Sequence, residues 1–318
     1  MIVRFWGTRG SIPVSLTAPD IRKKLVAALQ GAVGRVLDTR EQIENYVDNE
    51  LGFEINSTYG GHSSCVEIDI HSTEHFICDM GSGAQPLSSD MILRYGPSNQ
   101  TYHIFMSHLH WDHMMGFPFF IPAYIPGNTI IIHGCHTEME QAFRRQQSAP
   151  GFPVDFSALG AQIKFDLMTP GEPREIGGLR VTAKLQKHSG DSYGYRFEYD
   201  GKTVVYSTDS EHSLDELPTN QGFIEFFRAA DLVIFDAMYS LADAISIKAD
   251  WGHSSNIVGV ELCQLAEAKC FCMFHHEPAH DDEKIACTLN ETRRFEEITR
   301  NGPPLKVISA YDGLEITL

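Results

Sequence analysis

One stretch constrains this chain more than any other: Ser107-His108-Leu109-His110-Trp111-Asp112-His113. Three imidazoles and a carboxylate fall in it, directly after the apolar-rich run Tyr102–Met106, which reads as a strand. Extended backbone sends alternate side chains the same way, so His108 and His110 leave the strand end together. Asp112 and His113 are adjacent and diverge in any regular element. They converge with the other two only if the chain bends, or if they face a second ion beside the first. The set suits Zn²⁺, with Mn²⁺ or Fe²⁺ as alternatives, and lacks the thiolates of a closed structural zinc site. A solvated polar loop is the bland alternative, but four ligand-type side chains beside a buried strand need a stronger reason than solubility.

Around this cluster the pattern is α/β. Strands are expected at Ile2–Trp6, Cys65–Ile70, Phe76–Cys78, Leu179–Lys184, Tyr195–Tyr199, Thr203–Tyr206, Leu232–Phe235, Phe271–Phe274 and Lys306–Ile308. Helices are expected near Glu138–Gln147, Ile257–Ala268 and Asp282–Arg300. Strands in runs with helices between them suggest packed sheets with helices outside. Between about Val14 and Ser57 the character changes. Ile21, Leu25, Leu29 and Val36 fall roughly on one helical face behind Thr17, Pro19 and Asp20 as start signals, and Thr39 with Gln42 makes a capping box for a second helix carrying Ile43, Tyr46 and Val47, with Gly52 as its stop. A helical hairpin inserted into one domain spanning residues 1–318 is the expectation, because the segment is too short to hold its own core. It could serve as a lid or as a homodimer contact. Asp79-Met80-Gly81-Ser82-Gly83 lacks a phosphate-loop fingerprint and reads as a structural turn. The aromatic and proline-rich run Phe117–Pro126 could wall a substrate pocket, meet a dimer partner, or pack as core.

Charge and cysteine usage narrow the partners. A formal net charge of −17 makes a poor host for a nucleic-acid polymer, since Arg22-Lys23-Lys24, Arg144-Arg145 and Arg293-Arg294 are too short to track a phosphate backbone. A small anionic substrate stays compatible, because bound cations reverse the local field. No apolar run is long enough for a membrane span. The opening MIVRFWGTRGS lacks signal-peptide features, and seven scattered cysteines show no framework spacing, so a reducing, cytoplasmic setting is expected. Cys270 and Cys272 read as alternating strand residues rather than ligands.

The His-x-His-x-Asp-His pattern resembles the signature of the metallo-β-lactamase superfamily. That resemblance implies an αββα four-layer sandwich, with the site at one edge of the sheets. It also implies a distant His, an acidic bridge and a final His, each at a strand end. His188, before Ser-Gly-Asp-Ser-Tyr-Gly-Tyr-Arg, is similar to the distant His; Asp209, in Tyr-Ser-Thr-Asp-Ser, to the bridge; and His275, after Phe-Cys-Met-Phe, to the final ligand. His276 would exchange with His275 on a one-residue shift. The implied pair of sites is His108, His110, His188 and Asp209 for one metal, and Asp112, His113, Asp209 and His275 for the other.

Departures inside the superfamily sort the implied functions. Many true β-lactamases carry Cys where Asp209 stands, and flavo-diiron oxidoreductases carry Glu where His110 stands. The phosphodiesterase branch, including RNase Z and relatives acting on cyclic nucleotides, fits better. Gly7-Thr8-Arg9-Gly10-Ser11 resembles its opening turn, Gly194-Tyr195-Arg196 follows His188, and Gly252-His253-Ser254-Ser255 resembles its His-Ser-Thr loop. In that reading Asp112 orients the nucleophile and His253 protonates the leaving alkoxide, a task suited to imidazole. The bland alternative for His253 is a ring packed on Trp251. Cyclic nucleotides are the leading substrate class. Lactone, thioester or sulfate-ester hydrolysis on the same ligands, and a metal-bound sensor with little turnover, remain alternatives.

Overall fold

The computed structural model describes residues 1–212, 221–239 and 252–318. One sheet is built from β1 (Ile2–Gly7), β2 (Cys65–Asp69), β3 (Glu74–Cys78), β4 (Thr101–Phe105), β5 (Thr129–Gly134), β6 (Gln162–Leu167) and β14 (Glu315–Thr317), in the order β14-β1-β2-β3-β4-β5-β6. The other holds β7 (Arg174–Ile176), β8 (Leu179–Gln186), β9 (Ser192–Tyr199), β10 (Lys202–Ser207), β11 (Leu232–Asp236), β12 (Cys270–Phe274) and β13 (Lys306–Ser309), in the order β13-β12-β11-β10-β9-β8-β7. Each sheet has an antiparallel part and a parallel part; the parallel strands are β3-β4-β5-β6 in one and β10-β11-β12-β13 in the other.

The burial of each strand follows its place. In β8, Leu179, Val181 and Ala183 point inward while Arg180 and Lys184 do not, the period-two pattern of a half-covered strand. β12, Cys-Phe-Cys-Met-Phe, is buried along its whole length, as a parallel strand covered on both faces must be. Cys270 and Cys272 are therefore core residues, as the alternation suggests.

Apolar side chains of the two sheets meet in a central layer, with Phe5, Phe76 and Phe105 against Tyr195, Phe197, Tyr206 and Phe274. Outside the first sheet lie α4 (Ala84–Tyr95) and α6 (Met139–Gln146); outside the second lie α7 (Gln221–Phe227), α8 (Asn256–Leu265) and α9 (Asp282–Thr299). This is the αββα sandwich.

The 14–57 segment departs from expectation in detail. It forms α1 (Ala18–Gly31), α2 (Arg40–Asn49) and a short α3 (Phe53–Asn56), three helices rather than a hairpin. Both caps act as read: the Asp20 carboxylate accepts from the Thr17 N–H at 2.8 Å, and Thr39 Oγ1 accepts from the Gln42 N–H at 3.2 Å. Gly52 caps the start of α3 instead of stopping α2. Val36 lies beyond the end of α1, and Ile21, Leu25 and Leu29 are 49%, 59% and 70% exposed. The apolar stripe faces out because the polar side is bound inward. Lys24 donates to the carbonyls of Glu54 (2.6 Å) and Ser57 (2.7 Å) and pairs with the buried Asp282 at 2.6 Å, while Lys23 pairs with Asp281 and Glu283. The two ends of the segment meet where the Val14 N–H donates to the Gly61 carbonyl at 2.8 Å.

Candidate metal centre

The cluster forms where parallel strands of both sheets end, the edge at which α/β sheets present their loops. β4 runs into Ser107–His113, with Trp111–Met114 closing as the single turn α5. Asp79 follows β3, Asp209 follows β10 after Ser207 and Thr208, and His275 follows β12. Asp79, Asp209 and His275 have φ of 58°, 46° and 60°. Left-handed backbone is uncommon outside glycine and costs energy, so three instances beside one cluster indicate that packing imposes these side-chain directions.

Four overlapping groups of candidate ligands adjoin: His108, His110 and His188; Asp112, His113, Asp209 and His275; and two that take in His253, with His188 and Asp209 and with Asp236 and His275. Asp209 spans the first two. Its Oδ2 lies 3.6 Å from His108 Nε2 and 3.7 Å from His188 Nε2, while its Oδ1 lies 3.1 Å from His113 Nε2 and 3.2 Å from His275 Nε2. Asp112 Oδ2 sits 3.1 Å from His113 Nε2 and 3.3 Å from His275 Nε2, and accepts from the Ser11 N–H at 2.9 Å. His110 turns Nδ1 toward His188 Nε2 at 3.2 Å. Of the two adjacent histidines, His275 faces the cluster. His276 donates instead from Nε2 to the Ala310 carbonyl at 2.9 Å, and burial holds its pKa down at about 3.

The rings are set for ligation from behind. His113 Nδ1 donates to Asp79 Oδ2 at 2.7 Å; His108 Nδ1 donates to Ser107 Oγ at 3.0 Å, which itself donates to Asp79 Oδ2 at 2.7 Å. His188 Nδ1 donates to the Gly252 carbonyl at 2.8 Å. A proton held on Nδ1 leaves the Nε2 lone pair pointing into the cluster, as metal ligation requires. The buried Nε2 atoms of His108 and His113 have no hydrogen-bond partner among the described residues, although carboxylate oxygens lie close by. An unpaired buried nitrogen is costly, and a cation shared with those oxygens removes the cost.

The electrostatics agree. Burial opposes charge on His113, but Asp209, Asp112 and Asp79 outweigh it and raise its pKa well above the usual histidine range. Burial likewise works against ionised Asp112 and Asp209, yet His113 does most to lower the former and His275 the latter, so both stay ionised. His108 is pushed well below its ordinary value by burial and by His113. Two ionised carboxylates thus face imidazoles that cannot all take protons, a charge pattern that fits a bound divalent metal.

His253 stands beside the cluster. Its Nδ1 lies 2.8 Å from Asp236 Oδ2, and its ring stacks on His275 with centroids 5.1 Å apart. Burial works against its charged form, but Asp236 prevails and lifts the pKa to about 9. Trp251, the alternative packing partner, lies outside the described residues. Gly252 has φ +82°, and a Cβ there would sit 2.4 Å from His188 Nδ1, so only glycine admits this approach.

A family model described as the beta-lactamase superfamily domain matches residues 92–276, more than half of the chain. The chain belongs to the beta-lactamase superfamily. Among curated relatives, the Ribonuclease Z of Staphylococcus epidermidis is 24% identical over 144 residues, a match covering 43% of this chain and 43% of that protein. The chain therefore spans under half the length of the curated relatives it matches. Two solved structures share the fold across almost the full chain. The metallo-beta-lactamase fold protein YhfI from Bacillus subtilis has 16% identity and a TM-score of 0.64, covering 99% of this chain and 98% of that one. Human tRNase Z, short form, has 16% identity and a TM-score of 0.60, covering 100% and 99%.

This superfamily chain also carries two polar hubs that the sequence does not single out. Asp79 accepts from the Ser107 N–H (2.7 Å), Ser107 Oγ (2.7 Å), His113 Nδ1 (2.7 Å) and the Tyr206 hydroxyl (2.8 Å), so the supposed structural turn also orients two candidate ligands. Asp236 is fully buried, accepts from the backbone N–H groups of Ser210 and Met238 at 3.2 Å, and holds His253. A lone Asp at each strand end was the available signal. Within Phe117–Pro126, Phe117, Phe120 and Ala123 are buried against α4 and α6, the core reading of that segment, while Phe119 and Ile121 are exposed.

Proposed function

We propose that this chain is a metal-dependent phosphodiesterase holding two divalent ions, with Zn²⁺ the first choice from its ligand chemistry and Mn²⁺ or Fe²⁺ as alternatives. The observation that carries the reading is Asp209, whose two oxygens face different ligand groups. His108, His110, His188 and Asp209 would hold one ion; Asp112, His113, Asp209 and His275 would hold the other. When bound, the ions supply a nucleophile from water at neutral pH and neutralise the phosphoryl oxygens.

The chain's own groups do the rest. Asp112, fixed through Oδ2 by the Ser11 N–H, leaves its other oxygen to orient the attacking water. His253, held by Asp236 in the charged form, donates its proton to the departing alkoxide oxygen. A hydrolase acting on good leaving groups has little need of such an acid, which favours phosphodiesters over thioesters. The open cleft at the cluster has a volume of about 480 Å³ and none of its described lining residues is lysine or arginine, which favours a small substrate with one phosphate over a polymer. Cyclic nucleotides are the proposed class.

The test is a panel of cyclic nucleotides, simple phosphodiesters, lactones and thioesters, assayed with the Zn²⁺- or Mn²⁺-loaded protein. Turnover confined to phosphodiesters supports the proposal. Turnover confined to lactones or thioesters, or metal binding without turnover of any of them, sinks it.

A further inference from the structure

Trp111 sits between two candidate ligands, His110 and Asp112, at the first position of α5. Its side chain lies 79% exposed and makes no hydrogen bond or ring contact with any described residue. The turn beneath it is closed by the His113 N–H donating to the His110 carbonyl at 3.1 Å and the Met115 N–H donating to the Trp111 carbonyl at 2.7 Å. The same backbone that sets the cluster therefore sets the point from which the indole projects. Trp111 lines the cleft together with His110, Asp112, His188, Asp209 and His253, and the other described residues of the wall are Ser11, Leu109 and Ser189. Leaving a large apolar ring in water forfeits hydrophobic stabilisation, and an indole at the mouth of a small cleft offers a flat face for stacking. Among the described residues of the wall only Trp111 and Leu109 are apolar, and Trp111 alone offers a flat ring without a titrating group, so a planar part of a substrate beyond its phosphate finds its match there.

We infer that Trp111 is the specificity-determining residue of the cleft, stacking on a planar aromatic or heterocyclic ring carried by the phosphate substrate. This rests on the phosphodiesterase reading for its chemistry, and it adds what the ester group must be. A purine or pyrimidine ring one sugar away from the phosphate meets the description. Leu109 and Ser11 give neither the area nor the flatness for this task.

Binding separates this inference from turnover. Adenosine 5′-monophosphate and ribose 5-phosphate carry the same phosphate and sugar and differ in the ring. Titrating each into the Zn²⁺-loaded protein by calorimetry should show the adenosine compound binding more tightly by about 5- to 150-fold, the scale of one base stacked on an aromatic side chain. Trp111→Ala should remove that advantage and leave ribose 5-phosphate unchanged, while Trp111→Phe keeps most of it. Equal affinities in the parent, an equal loss of both ligands in Trp111→Ala, or no binding of either overturns the inference. So does a change from dimer to monomer on substitution, which would make Trp111 a subunit contact. If the parent shows no ring preference yet hydrolyses phosphodiesters, only the role of Trp111 falls. Ring preference without any diester turnover refutes the proposed activity and leaves the platform standing.

Discussion

His253→Ala probes the chemistry and the electrostatics together. Asp236, at 2.8 Å, lifts the imidazole pKa to about 9 against the effect of burial. The raised value keeps the ring protonated at pH 7 and poised to donate. A lost general acid costs roughly 10²- to 10⁴-fold in rate, about 2.7–5.4 kcal/mol of transition-state stabilisation. That cost applies to an alkoxide, which leaves poorly without a proton. A nitrophenolate leaves well unaided, so the variant should lose far less on that substrate. The assay is kcat/KM for two diesters of the metal-loaded protein, one with an alkyl and one with a nitrophenyl leaving group, alongside metal content. The ratio of the two losses cancels general damage to the site. Equal losses on both substrates would refute the general-acid role.

Asp236→Asn tests the same pair through pH. A raised pKa means the acid is present below the folded value and lost as pH rises through it. Without the carboxylate, burial dominates and the limb on the basic side of the alkyl-diester pH profile should move down by roughly two units; an unmoved limb would show that Asp236 does not set the acid. The 14–57 segment is the second test. Its ends already meet at Val14 and Gly61, and α1 buries no residue. A short glycine-containing turn joining Val14 to Thr58 should therefore give a protein that folds and binds metal, less stable by about 3–5 kcal/mol, chiefly because the buried Asp282 loses Lys24 and to a smaller extent because Phe53 leaves Tyr59 and Tyr311, as read by thermal melting. Insolubility or loss of metal would place the segment within the main core.

The candidate site was more legible in the sequence than the frame that carries it. His108 to His113 cluster within one loop, and a dense run of costly side chains is visible without knowing the fold. His188, Asp209 and His275 are far apart in the chain and stand out only through a family resemblance. Asp79 and Asp236 act through hydrogen bonds to other side chains, and a single carboxylate at a strand end leaves no pattern. Among the elements, β5 reads Thr-Ile-Ile-Ile-His-Gly, too short a run to tell a strand from a buried helix turn, and β7 and β14 are three-residue edge strands. The α1 stripe is plain in the sequence, yet which side faces the protein depended on Lys24 finding Asp282 more than two hundred residues away. Periodicity finds a helix face and does not say what it meets.

The central claim is a pair of metal sites sharing one carboxylate, and the most direct measurement is metal stoichiometry of the purified protein by mass spectrometry, for the parent and for Asp209→Ala. The account predicts close to two ions per chain in the parent, with most of the metal lost from the variant because both ligand groups lose an oxygen. A parent that saturates at one ion, or an Asp209→Ala protein that retains two, would contradict it.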